Sequence, residues 1–157
     1  MRIEEAIRQV SFRNEHHKAA VNLLYTYNMV SGSIQKILNE EGLTMQQFNV
    51  LRILRGQHPG PATNSLIRER MIDKNSDVTR IIDRLLKSGH VKRTPCRSDR
   101  RRVDIVITEK GMDALARIDK RNDELDSIMA ALSEEEVRLL NGLLDKLRDG
   151  GGGMREQ

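Results

Sequence analysis

Residues 75–88, NSDVTRIIDRLLKS, place Val78, Ile81, Ile82, Leu85 and Leu86 at steps of three and four, the spacing that keeps side chains on one face of an α-helix. The face opposite this apolar stripe carries Ser76, Arg80, Asp83, Arg84 and Lys87. Upstream, residues 62–70 read as a shorter helix, joined to it by Met71-Ile72-Asp73-Lys74, and helix, brief connector, helix is the spacing of a helix-turn-helix. Downstream, Gly89 acts as a helix stop. The runs 90–95 and 103–108 then read as two strands closing a hairpin. Few folds accept helix-turn-helix and hairpin in that order within so few residues, so the stretch predicts a winged helix.

The tip of the hairpin, RSDRRR, holds Arg97, Arg100, Arg101 and Arg102 with Asp99 among them. Like charges crowded on a projecting turn repel one another unless a polyanion relieves them, and narrow minor grooves concentrate negative potential where such a turn can enter. The charge of the whole chain is only +4, but residues 68–102 carry twelve Lys/Arg against five Asp/Glu. That segment is therefore the expected contact with double-stranded DNA. Asn75, Ser76 and Thr79 are short polar groups able to approach base edges or phosphates. Arg80 can reach guanine with two hydrogen bonds, and Arg84 extends the same face. Asp77 and Asp83 oppose this reading unless each has an internal partner. Asp99 is expected to shape the hairpin turn.

Outside the basic segment the chain is read as helical. From residue 14 to 41, apolar positions recur at helical spacing, with Ser31 and Gly32 as a possible kink. Thr44-Met-Gln-Gln47 is a capping box opening a helix to about residue 55, ended by Gly56. Thr108 caps a helix expected to run to about residue 132, and Ser133-Glu-Glu-Glu136 opens another to about 148. The terminal helices carry Ile118, Leu125, Ile128, Met129 and Leu132, then Val137, Leu140, Leu144 and Leu147. That is more apolar stripe than one small winged helix covers, which points to a homodimer. The expected organisation is a dimerisation region at 1–43, a winged helix-turn-helix at 44–108, dimerisation helices at 109–149 and a flexible tail at 150–157. The fold class is mainly α with a small β-hairpin.

The stretches LTMQQFNVLRIL, SDVTRIIDRLLKSGHVKR and SDRRRVDIVITEKG resemble the MarR (multiple antibiotic resistance regulator) family of winged-helix transcription factors. The resemblance covers residues 14–148 and is most specific at the wing, from Asp99-Arg100-Arg101 to Ile107-Thr-Glu-Lys-Gly111. It implies a dimer with intertwined terminal helices, a recognition helix at 75–88 and a wing bearing Asp99, Arg100 and Arg101. It also implies a transcriptional repressor that leaves a pseudo-palindromic operator when a small aromatic or anionic effector binds. At Arg68 the chain departs from the small apolar residues usual there.

Other features exclude more than they suggest. No signal peptide and no run of about 18 apolar residues is present, so a cytoplasmic, membrane-free protein is expected. The one cysteine, Cys96, forms no internal disulfide and is read as incidental to the wing. His16 and His17 are adjacent and diverge on a helix, so no metal site is expected. No cofactor is implied. No nucleophile with its base, phosphate-cradling loop or carboxylate pair marks an enzyme. Tyr25 and Tyr27 could line an effector pocket, with Tyr27 fitting the dimer core better. The alternative to DNA is an acidic protein partner docking on the basic face. RNA is disfavoured because only 3% of residues are Phe or Tyr and none is Trp, leaving little to stack on unpaired bases.

Overall fold

The computed structural model describes residues 1–95 and 103–150. The expectations for Cys96, Arg97, Asp99, Arg100, Arg101 and Arg102, and for the tail beyond 150, lie outside the described residues. The chain divides into two compact units, residues 1–120 and residues from 121 onward. Among the described residues no helix is long and apolar enough to cross a membrane.

The first unit opens with a single turn, α1 (Ile3–Ala6), which the sequence reading did not anticipate. It seats Ile3 in a buried position, and Glu4 pairs with Lys18 at 2.7 Å. The long helix α2 (Glu15–Asn39) follows, with the Asn14 side chain accepting from the His17 amide as N-cap. It runs through Gly32 without interruption, and only its last part, Ile37 and Leu38, is buried. Gln35 fastens that end to the next helix, donating to the Leu43 carbonyl and accepting from the Met45 amide.

Helix α3 (Met45–Gln57) starts at the Thr44–Gln47 capping box and continues one residue past Gly56, which therefore lies inside it. Ala62–Thr63, expected to begin a helix, form instead a short strand, β1, and α4 (Asn64–Arg70) begins only after it. The reason is long-range: Ala62 and Thr63 pair antiparallel with Ile105 and Asp104. Thr63 ends the strand and caps the helix in one residue, accepting from the Leu66 amide. Arg68 is exposed on α4 while its neighbour Ile67 is fully buried, so the unusual arginine leaves the packing undisturbed.

Helix α5 (Val78–Lys87) starts where the apolar stripe does, three residues later than the helix expected over 75–88, because Asp77 is its N-cap. Strands β2 (Val91–Pro95) and β3 (Val103–Ile107) pair antiparallel, and the sheet order is β1-β3-β2, three strands where a two-stranded hairpin was expected. Helix α6 (Glu109–Asp119) is capped by Thr108 as expected. The core of this unit is aliphatic: Leu38, Leu51, Leu54, Ile67, Ile82, Leu85, Ile105, Leu115 and Ile118 are all buried. Two ion pairs brace α6 from outside, Arg55–Asp119 and the bidentate Arg117–Glu41.

The second unit corrects the expectation of one helix through residue 132. It contains α7 (Asn122–Ser127) and α8 (Glu134–Gly150), and the helical path is broken at residues 120–121 and again before Ser133. No Gly or Pro marks the first break. The Ser133–Glu136 capping box forms as read, with both reciprocal bonds present. Neither helix buries a residue, and Leu139, Leu143 and Leu147 are exposed.

Candidate nucleic-acid interface

The open face of α5 exists because its other face is spent. Val78, Ile82 and Leu85 are buried and Ile81 and Leu86 half-buried, which turns Thr79, Arg80, Arg84 and Lys87 outward. Asn75 and Ser76 lie in the connector before the helix, not within it. The structure nevertheless brings them to Arg80 and Arg84, all four lining one open cleft of about 300 Å³. Thr79 is exposed on the helix but does not line that cleft. The Ser76 hydroxyl is buried with no hydrogen-bond partner among the described residues.

The far wall of the cleft is the start of α3, where Thr44, Gln46 and Gln47 contribute. Sequence reasoning missed these three as site residues. The capping box was a usable signal, since it fixes Gln47 against Thr44 and so exposes Gln46 beside it.

The carboxylates that seemed to oppose a DNA contact each have an internal task. Asp77 accepts from the Arg80 amide at 3.1 Å, which also favours the positive end of the helix dipole. Asp73 accepts from the Asn75 amide at 3.0 Å and so shapes the connector. Asp83 pairs with Arg93 of β2 at 2.7 Å. Both partners of that bridge are about half exposed, so it contributes little stability. Its geometric effect matters more, since it ties α5 to strand β2. Arg80 and Arg84 are left on the open face.

A second, mainly apolar cleft of about 100 Å³ shares Gln46 and Asp73 with the first and is lined besides by Tyr27 of α2, Met45 and Asn49 of α3, and Met71 and Ile72 of the connector. Asn49 accepts from the Ile72 amide at 2.9 Å, coupling this cleft to the connector that carries Asn75 and Ser76. Tyr27 is largely exposed there and not part of the core of the chain.

Comparison with known proteins follows the same segment. The sequence model of the MarR family matches residues 43–103. The HTH-type transcriptional repressor IacR of Pseudomonas putida is 30% identical over 128 residues, covering 81% of this chain and 72% of the relative. Among solved structures, a mutant of E. coli MarR complexed with operator DNA superposes with a TM-score of 0.77 at 24% identity, covering 87% of this chain and 98% of that one. An organohalide-sensing RdhR regulator in its 2,4-dichlorophenol-bound form superposes with a TM-score of 0.80 at 22% identity, covering 90% and 86%.

Proposed function

The chain belongs to the MarR family, and on that premise we propose that it is a homodimeric, sequence-specific DNA-binding regulator of transcription, acting in the cytoplasm as a repressor without enzymatic activity. One observation carries the reading: Asn75, Ser76, Arg80 and Arg84 share one open cleft, in which Asp73 and Asp77 also stand but accept from the Asn75 and Arg80 amides, while Asp83 outside it pairs with Arg93. Short polar groups at the helix start address base edges or phosphates, the two guanidinium groups supply charge and bidentate recognition, and the Arg97–Arg102 cluster adds a second contact from the wing.

The dimer reading rests on surface that a single copy leaves open. Along α2, Leu23, Leu24, Tyr27 and Met29 are exposed, as are Leu139, Leu143 and Leu147 along α8. Apolar stripes of that length in a soluble protein mark an interface. Two symmetric recognition helices then require half-sites about one helical turn, 10–10.5 bp, apart or a multiple of it.

The test is a polarisation titration of labelled duplexes from the promoter region of the protein's own gene. Affinity is expected to fall with salt at a log–log slope near −0.9 for each phosphate neutralised, for about six to ten phosphates per dimer. Equal affinity for every duplex, or a flat salt response, would contradict the reading.

For release we place the effector in the second, apolar cleft beside Tyr27. Its lining has no Lys or Arg and includes Asp73, so an uncharged aromatic compound fits it better than an anion. Such a molecule would press on the Asn49–Ile72 link and shift the connector on which Asn75 and Ser76 are carried. A neutral phenol is expected to displace labelled operator at lower concentration than benzoate; the reverse order would move the effector elsewhere.

A further inference from the structure

His90 is the point where recognition helix, sheet and α6 are joined, and its side chain is buried there. Its backbone amide donates to the Leu85 carbonyl at 3.0 Å and its carbonyl accepts from the Thr108 amide at 3.0 Å. The next residue, Val91, opens the β2–β3 ladder opposite Ile107. His90 as a residue is 7% exposed, with Nδ1 2.7 Å from the Ser88 hydroxyl. That hydroxyl donates to the Leu85 carbonyl, leaving it to accept from Nδ1–H, so an added proton goes to Nε2.

Among the described residues the ring makes no other side-chain hydrogen bond. Two cations from α6 face the ring, Lys110, whose ammonium group donates to the Ser88 carbonyl, and Arg117. Among the described residues the carboxylate acting on the ring is Glu41 from the α2–α3 loop, which is held by Arg117 through both of its oxygens. Burial, reinforced by Lys110 and Arg117 and opposed by Glu41, therefore holds the imidazole below its ordinary value of 6.5.

Resting on the DNA-binding reading above, we propose that His90 is a pH-sensitive latch: it holds the recognition helix against the wing while neutral, and its protonation in mild acid separates the two DNA-contacting elements and releases the operator. The form that binds DNA keeps the ring uncharged, whereas the loosened form accepts the proton, so acid draws the protein away from DNA. Folding follows the same sign. The stability contributed by the neutral ring is complete above pH 6.5 and is lost as pH falls from there through the depressed folded value. Ordinary electrostatics gives the opposite trend for binding, because acid adds positive charge and a polyanion attracts it.

The experiment measures operator affinity by polarisation from pH 8.0 to 5.5 at fixed ionic strength for the full-length protein, His90→Gln and His90→Leu. Wild type is expected to weaken by about 10-fold across that range, one proton per subunit allowing at most about 10-fold per pH unit for each. Gln and Leu remove the titrating nitrogen, so both variants should flatten the response or reverse it. A ring-proton NMR titration of His90 supplies a readout independent of folding defects in either variant, and its midpoint should lie below 6.5 in free protein and fall further with duplex bound. A wild type that binds tightly but is indifferent to pH, or that tightens in acid as His90→Gln does, overturns the latch alone. Failure to bind duplex at any pH overturns the DNA-binding reading and the latch with it.

Discussion

An Arg80→Ala protein is expected to bind its operator about 30-fold or more weakly, while its affinity for unrelated duplex falls much less. A bidentate arginine–guanine contact discriminates by about 1–3 kcal/mol per base pair, and a symmetric dimer makes it twice. Arg80 is suited to that contact because it stands in the first turn of α5, exposed, with its own amide fixed by Asp77. Its removal should spare the fold, since arginine and alanine are both good helix formers and an exposed change costs within about 0.5 kcal/mol. Arg101→Ala serves as the contrast. If the wing acts on the backbone and groove potential, that variant weakens all duplexes alike and reduces the salt slope by about one per site. Paired titrations of specific and random duplex at two or more salt concentrations distinguish the roles. An Arg80→Ala protein that loses both affinities equally would reduce Arg80 to a phosphate contact, and one that loses neither would remove α5 from the interface.

What could be read from the sequence was whatever local chemistry decides. Thr44, Thr108 and Ser133 cap their helices as read, because a hydroxyl three residues before an unpaired amide is a short-range arrangement. The stripe on α5 is equally local, and it alone placed Arg80 and Arg84 on the outer face. What long-range pairing decides was hidden. Ala62–Thr63 is a strand only because β3 lies beside it. The start of α5 was misplaced because Asn75, Ser76 and Asp77 are all competent N-caps, and the connector geometry, with Asp73 holding the Asn75 amide, selects the last. The cleft joins two elements distant in sequence, so the capping box could signal that Gln46 is exposed but not that it and Gln47 face Arg84. Asp83 opposes a DNA contact on sequence alone, and only the packing of β2 beside α5 brings it its partner Arg93.

The glycine that ends ITEKG shows the same division, and it yields the largest expected effect on stability. Gly111 lies in the first turn of α6, where glycine is a poor choice, costing about 1 kcal/mol relative to alanine. Space explains it. A β-carbon there would stand 2.4 Å from the His90 carbonyl oxygen and 2.7 Å from Ile107 Cγ1. The oxygen is backbone and already accepts from the Thr108 amide, so it cannot retreat without breaking the junction between β2 and α6. Gly111→Ala is therefore expected to destabilise the protein by about 2–4 kcal/mol despite the gain in helix propensity, the upper range for overpacking a closed site. Gly56→Ala is the matching control. It also lies in a helix, but a β-carbon there meets nothing within 4 Å, so that change should be neutral or stabilising by up to about 1 kcal/mol. Urea denaturation of both variants, followed by circular dichroism at one protein concentration, makes the comparison. If Gly111→Ala unfolds at the same midpoint as Gly56→Ala, the close approach of α6 to His90 is wrong. Strand β2 and α5 would then lack the rigid seat that this junction gives them.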